Sequence, residues 1–261
     1  MSATRNTNER PLSARSLIAS LLLRTQPPRM RGARLVQWCG LFGVSEGTAR
    51  VALSRMVDRG ELRTRDGTYE LAGRVRGRRE SQDWSLAPRL EPFDGTWRIG
   101  VVVPAARAAP DRGALRDAMR RLRMGELREG VWMRPDNLPR EAAPVDAWRV
   151  ADAQCQWWTG TPEGHPAEVA STLFDPDAWA VRADQLESRL ARSIGRLDGK
   201  DWRLADAFVA GAAALAHVRA DPFLPIDLAR SNQAGDALRV TYHDYEGVFS
   251  SALRAWFRAH G

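Results

Sequence analysis

Asp66-Gly67 narrows the choice of fold more than any other pair of residues in this chain. Asp followed by Gly accepts positive φ at both positions, which matches the twist of two antiparallel strands and closes a two-residue hairpin. Pairing outward from the turn sets the register. Arg65 faces Thr68, Thr64 faces Tyr69, Arg63 faces Glu70 and Leu62 faces Leu71. Side chains alternate with period two, so Leu62, Thr64, Tyr69 and Leu71 share one face. Arg63, Arg65, Thr68 and Glu70 share the other. One face can pack on a core while the opposite one presents two arginines.

Three helical segments precede the hairpin. Ala14 to Leu23 carries Leu17, Ile18, Leu21 and Leu22 on one side and ends at Pro27-Pro28. Ala33 to Cys39 forms a short second helix with Leu35, Val36 and Trp38. After Gly40-Leu41-Phe42-Gly43, Ser45 is placed to cap a third helix that runs to about Arg59 and stops at Gly60. Three helices with a glycine-containing turn, followed by a hairpin, make a winged helix-turn-helix. At 100° per residue, Ala49, Ala52, Leu53, Met56 and Val57 form the buried stripe of the third helix. The opposite arc holds Gly47, Thr48, Arg50, Val51, Ser54, Arg55 and Asp58. Arginine forks pair with a guanine edge, hydroxyls reach bases or phosphates, and an exposed valine can meet a thymine methyl. Alternatively, Arg50 and Arg55 are solvated or paired with Glu46 or Asp58. Arg29, Arg31 and Arg34, read as the start of the second helix, and Arg63 and Arg65 on the wing are the candidate backbone contacts. The candidate DNA-binding set is therefore Gly47, Thr48, Arg50, Val51, Ser54, Arg55, Arg31, Arg34, Arg63 and Arg65.

Charge agrees with this placement. Residues 1–90 hold 17 Arg and 8 Asp/Glu, a balance of +9, whereas the other 171 residues hold 22 basic and 24 acidic side chains, a balance of −2. The whole basic excess lies in the first third of the chain, as expected when one domain faces a polyanion. Of the 39 basic residues 38 are Arg, but the acidic remainder is equally poor in Lys, so this bias carries no functional weight. Cys39 and Cys155 sit alone in apolar surroundings and fit a reducing, cytoplasmic interior. Leu17 to Leu23 superficially resembles a signal sequence, but Arg24-Thr25-Gln26-Pro27-Pro28-Arg29 follows with no cleavage pattern, and Ala207 to Ala216 is too short to span a bilayer.

The rest of the chain reads as α+β. Residues 1–10 are expected to be a disordered tail, 11–75 the DNA-binding domain and 76–92 an Arg-, Ser- and Pro-rich linker. In 93–161, Trp97 to Val103 is an expected strand, Asp111 to Met124 an amphipathic helix, and Glu126 to Met133 and Val150 to Thr159 two further strands. This βαββ order indicates a small α+β domain. From Pro162 the pattern is helical, with pieces near 164–174, 176–197, 201–219 and 246–259, and 162–261 is the expected effector and dimerisation domain.

Several segments resemble the PaaX-type repressors of phenylacetate catabolism. Val44 to Gly60, with Ser45-Glu46-Gly47-Thr48-Ala49-Arg50 at its start, is similar to their recognition segment. Phe93-Asp94-Gly95-Thr96-Trp97 resembles the entry to their middle domain, with Phe where Trp is usual. Gly125 to Pro135 resembles their next strand, and Asp221-Pro222-Phe223-Leu224-Pro225 their Asp-Pro-x-Leu-Pro signature. After Pro225 the family's Leu-Leu-Pro and Trp-Pro-Gly elements are replaced by Asp227 to Gly235. The resemblance implies a winged helix-turn-helix, a ferredoxin-like middle domain shaped like Cas2 proteins and a helical C-terminal domain. It also implies a homodimer on a partly palindromic double-stranded DNA operator, released by an aryl-acetyl-CoA thioester.

Enzyme chemistry is the rival reading, either on CoA thioesters or on nucleic acid as a Cas2-like nuclease. His165, His217, His243 and His260 show no metal-ligand spacing. His243-Asp244 diverge on any regular backbone, and Asp94-Gly95 reads as a turn before a strand rather than a metal ligand. No catalytic residue, metal or resident cofactor is expected. For an acyl-CoA or aryl-acid effector, Trp157 and Trp158 are candidate wall residues and Arg182 and Arg189 candidate anion partners. The bland alternatives are core tryptophans and a solvated helix face.

Overall fold

The computed structural model describes residues 12–25, 27–72, 84–103, 108–197, 203–229 and 231–260. The expected tail and residues 76–83 of the expected linker lie outside these. The chain is mixed α and β, with antiparallel sheets and a helical C-terminal region. It divides into two units, one of Met1–Glu80 with Ser250–Gly261 and one of Ser81–Phe249. No described helix is long and apolar enough to cross a membrane.

In the first unit, helix α1 (Ala14–Leu23) is capped by Ser13, whose Oγ accepts the Ser16 N–H, and it buries Leu17, Ile18, Leu21 and Leu22. Helix α2 (Gly32–Gly40) buries Leu35, Trp38 and Cys39, and desolvation raises the Cys39 thiol to about 11, which makes it inert. Helix α3 (Glu46–Asp58) follows a turn in which Gly43 has φ +74°. Strands β2 (Leu62–Arg65) and β3 (Thr68–Leu71) pair in the register that Asp66-Gly67 dictates, with φ of +50° and +71° at the turn. Arg15 of α1 ties to Glu61 at the hairpin entry, 2.7 Å away.

Arg29 and Arg31 do not open the second helix but form strand β1 (Arg29–Arg31), which pairs with β3 and completes a sheet of order β1-β3-β2. Three residues are too few for a period to be seen, and Pro27-Pro28 favours extended backbone after it.

In the second unit, strands β4 (Trp97–Val102), β5 (Gly125–Arg128), β6 (Val131–Pro135) and β7 (Cys155–Gly160) form an antiparallel sheet of order β5-β6-β4-β7. Helices α4 (Ala109–Arg121) and α5 (Val145–Asp152) connect them into a βαββαβ unit. Two expectations fail. Glu126 to Met133 is not one strand but a hairpin turning at Gly130, whose φ is +80°. Val150 is not the start of a strand but lies inside α5, where Ala147, Trp148 and Ala151 share a buried face. Leu115, Met119 and Leu122 pack with them, with Trp132 and with Cys155 on one side of the sheet. Trp97 and Met133 on the other side meet Ala170 of helix α6 (Pro166–Phe174) and Leu224.

Helix α7 (Pro176–Leu197) lies along helix α8 (Leu204–Val218), and helix α9 (Ser231–Ala259) follows. Helix α9 starts fifteen residues before the expected 246, because Thr241, Tyr242 and Tyr245 break a simple helical composition. The Asp221-to-Pro225 stretch is wholly buried. It sits among three buried arginines. The Asp221 carboxylate accepts from Arg239 and from the Phe223 N–H, the latter at 2.8 Å. Arg123 donates to the Arg219 carbonyl and, at 3.1 Å, to Ser85 Oγ. Arg134 donates to Asn137 Oδ1 at 2.8 Å and to the Pro135 carbonyl at 3.0 Å. Burial pushes the Arg134 guanidinium down to about 9 and that of Arg123 to about 10.

His217 of α8 stacks on Trp179 of α7, ring centroids 4.4 Å apart, and its Nε2–H donates to the Trp179 carbonyl at 2.9 Å. Desolvation lowers its pKa, with nearby Arg182 acting in the same direction. A histidine whose pKa falls on folding is held neutral by the native state, so its contribution is intact above the unfolded value, about 6.5. That contribution is lost as pH falls through the lowered native value. Acidification from pH 7.5 to 5.5 is expected to lower the unfolding midpoint of wild type more than that of His217→Gln. Equal losses in the two proteins would show that His217 is not the acid-sensitive group.

Candidate nucleic-acid interface

Helix α3 owes its position to its ends and to one stripe. Ser45 Oγ accepts the Thr48 N–H at 3.2 Å and lies 2.9 Å from Thr48 Oγ1, which fixes the first turn. Ala49, Leu53 and Met56 anchor the helix in the core. The opposite arc is open: Gly47, Thr48, Arg50, Val51, Ser54 and Arg55 are all exposed. Val51 is 50% exposed, an apolar side chain on the open arc. Arg50 is held across one turn by Glu46, with Nε and Nη2 at 2.8 and 2.7 Å from Oε1. This is one of the two bland partners foreseen for it. An exposed i,i+4 pair is worth about 0.3–0.5 kcal/mol, whereas a bidentate arginine–guanine contact discriminates by about 1–3 kcal/mol. The Glu46 contact therefore orients Arg50 without trapping it.

Arg63 and Arg65 project from β2, both exposed, with Arg65 3.7 Å from Asp66. Arg31 is exposed on β1, directly before α2. Arg34 is exposed on α2 and its guanidinium lies 5.4 Å from the Phe257 ring centroid, a contact made by the Ser250–Gly261 part of the same unit. Gln37 of α2 donates to the His260 carbonyl at 2.8 Å. Nothing in the sequence ties α2 to the last turn of the chain, and the aromatic pair Trp256-Phe257 is the feature that could have raised it.

The two candidate wall residues part across a sheet. Trp157 and Trp158 are neighbours on β7, so their side chains point to opposite faces of the sheet. Trp157 is half-buried, 5.0 Å from Trp148 edge to face, and donates to Asp152 Oδ1 at 2.8 Å. Trp158 is 56% exposed and pairs with Ile99 on the other side. Arg182 and Arg189 lie on a different element, α7, where Arg182 donates to Gln185 at 3.2 Å. What sequence reasoning missed is an open cavity of about 540 Å³ between the 3-10 turn Arg140–Ala142 and α5, lined by Arg140, Trp148, Arg149 and Asp152 among others. Arg140 covers the Trp148 ring at 4.0 Å and pairs with Asp152, so the indole face is already occupied. The amphipathic spacing of Ala147, Trp148 and Ala151 was the available signal.

Asp94, the carboxylate weighed for a nuclease, accepts the Thr96 N–H at 2.8 Å. That hydrogen bond holds its pKa below the usual carboxylate range and makes it a turn-forming residue ahead of β4.

Three comparisons bear on what this arrangement serves. The PaaX-like protein family matches residues 13–75. No curated protein matches the chain. Among solved structures, the uncharacterized protein Rv0674 from Mycobacterium tuberculosis is similar, with 36% identity and a TM-score of 0.71 over 93% of this chain and 98% of that one.

Proposed function

We propose, on the match of residues 13–75 to the PaaX-like family, that this chain is a sequence-specific DNA-binding transcriptional regulator, a ligand-responsive repressor of a catabolic or metabolic operon. Residues 11–75 act as a winged helix-turn-helix. The βαββαβ unit within 93–161 is read as ferredoxin-like and related in shape to Cas2 proteins. Helices within 162–261 serve effector binding and homodimer contacts, with the last turns of α9 packing in the first unit. A two-fold dimer reads a partly palindromic operator, because each copy offers the same helix to one half-site. A small acidic or acyl-CoA effector shifts the population toward dimers that cannot bind.

The observation that carries this reading is the open arc of α3: Gly47, Thr48, Arg50, Val51, Ser54 and Arg55 are exposed together on a helix whose other side is core. A major-groove reader needs small residues for close approach, hydroxyls, a fork and one apolar contact, and this arc supplies all four. Arg63, Arg65, Arg31 and Arg34 then set the register on the backbone.

The test is selection of bound duplexes from a random pool. Arg50→Ala is expected to weaken specific binding by about 1–3 kcal/mol and to relax the choice at one base position per half-site. An Arg50→Ala protein that selects the same sequences as wild type would remove Arg50 from base reading.

A further inference from the structure

The outer face of the three-stranded sheet has a charge pattern that its register dictates. Arg29, Glu70 and Arg63 lie in one row across β1, β3 and β2. Arg31, Thr68 and Arg65 lie in the next. Directly paired residues of antiparallel strands point to the same side, so four arginines and one glutamate share a face. All four arginines and Glu70 are exposed, whereas Leu62 and Leu71, on the opposite face, are buried. The arginines therefore point away from the helices of their own unit. The array is also fixed in place. Gly32 N–H donates to the Gly67 carbonyl at 2.9 Å, and a Cβ on Gly32 would come within 2.8 Å of the Tyr69 ring, so β1 is seated closely on the hairpin.

We propose that this face is a duplex-phosphate platform distinct from the α3 arc, and that Glu70 at its centre limits how strongly it grips DNA of any sequence. The inference rests on the DNA-binding reading, joins Arg29 and Arg31 to the wing arginines in one array, and adds Glu70 to it. Strand spacing puts the two arginine columns about 10 Å apart and the rows about 7 Å apart. A duplex offers two phosphate rows flanking a minor groove about 6 Å wide, so each column can follow one row. A lone acidic side chain or small anion would use one or two of the four forks, whereas a polyphosphate backbone uses them all. Glu70 lies between Arg29 and Arg63 and repels any phosphate that approaches that row. It thereby trims the sequence-independent part of the affinity, which would otherwise hold the protein at every site on a chromosome. The base contacts of α3 are left to decide where it stays.

The experiment measures binding of full-length protein to a random-sequence duplex and to a selected site, between roughly 50 and 200 mM salt. Each neutralised phosphate contributes about 0.9 to the slope of log affinity against log salt. Arg29→Ala and Arg31→Ala should each make the slope shallower by about 0.9, as should Arg63→Ala. Arg29→Gln and Arg31→Gln, which keep most of the apolar stem, should do the same, which separates charge from packing. Glu70→Gln should raise affinity for the random duplex about 3- to 10-fold and lower the ratio of specific to random binding. If Arg63→Ala shifts the slope while the Arg29 and Arg31 variants do not, the platform is overturned in favour of a wing confined to β2. If every sheet variant is silent while Arg50→Ala relaxes sequence choice, the platform falls and the regulator reading stands. A wild-type protein with no salt-dependent affinity for either duplex overturns both.

Discussion

Asp221→Ala is expected to destabilise the second unit by about 3–5 kcal/mol, because it strips a buried guanidinium of the one buried counter-charge it has among the described residues. Asp221 is 3% exposed and Arg239 9%. One Asp221 oxygen receives Arg239, and the other holds the Phe223 N–H and with it a backbone φ of +53°. The Phe223 ring in turn lies 5.0 Å from the Arg123 guanidinium and 5.2 Å from that of Arg239. Nearby help is weak. Asp236 is 3.4 Å from Arg239 but its side chain is 70% exposed, so water screens it. The surrounding arginines add repulsion, since Arg123 and Arg134 are buried and satisfied chiefly by neutral groups. Their partners include the Arg219 carbonyl at the C-terminal end of α8 and, at 3.4 Å, the Leu122 and Arg123 carbonyls after α4. Helix ends of that polarity favour cations but supply only about half a charge each. Urea unfolding of Asp221→Ala, Arg239→Met and the double variant separates the contributions. Asp221→Ala should lose most, and the double variant much less than the sum of the two single losses. A loss below about 1 kcal/mol in Asp221→Ala would mean that the helix ends and Asp236 neutralise Arg239 without it.

What the chain discloses by sequence alone follows the range of the signal. Asp66-Gly67 and Ser45 act over two or three residues, and the hairpin register and the cap of α3 came out as expected. The stripe of Ala49, Leu53 and Met56 repeats often enough for the open arc of α3 to be read as well. Strand β1 escaped because it is three residues long and its partner, β3, lies 37 or more positions further along. The two wrongly drawn strands share a cause, since a run of mixed apolar residues does not reveal a turn at Gly130 or a helix before β7. The buried arginines were unreadable for a different reason. Arg123, Arg134 and Arg239 look like any others among 38, and only the fold brings them to Asp221. Trp157 and Trp158 adjoin in sequence and therefore part across the sheet, a divergence that strand periodicity shows only once the strand is placed.

Gly211→Ala is expected to destabilise the same unit by about 2–3 kcal/mol, although intrinsic helix propensity alone favours the alanine by about 1 kcal/mol. The opposing factor is Tyr245. A Cβ at position 211 of α8 would stand 2.4–2.5 Å from Cε1, Cζ and Oη of that ring, well inside contact distance. The ring has nowhere to go. It is fully buried, its hydroxyl donates to the Ala207 carbonyl of α8 at 2.8 Å, and it lies 5.4 Å from Phe249 in a near-parallel stack. To admit one methyl group, the unit must separate α8 from α9 or break that hydrogen bond, and either change loses packing along both helices. The sign of the effect therefore discriminates: a propensity-dominated site gains stability and a contact-dominated site loses it. Tyr245→Leu alone should be destabilising, but Gly211→Ala introduced into that background should be nearly neutral or stabilising, since the obstructing atoms are gone. Thermal and urea unfolding of the four proteins measure the coupling. If Gly211→Ala stabilises the wild-type background, the close approach of α8 to Tyr245 is not what holds these two helices together.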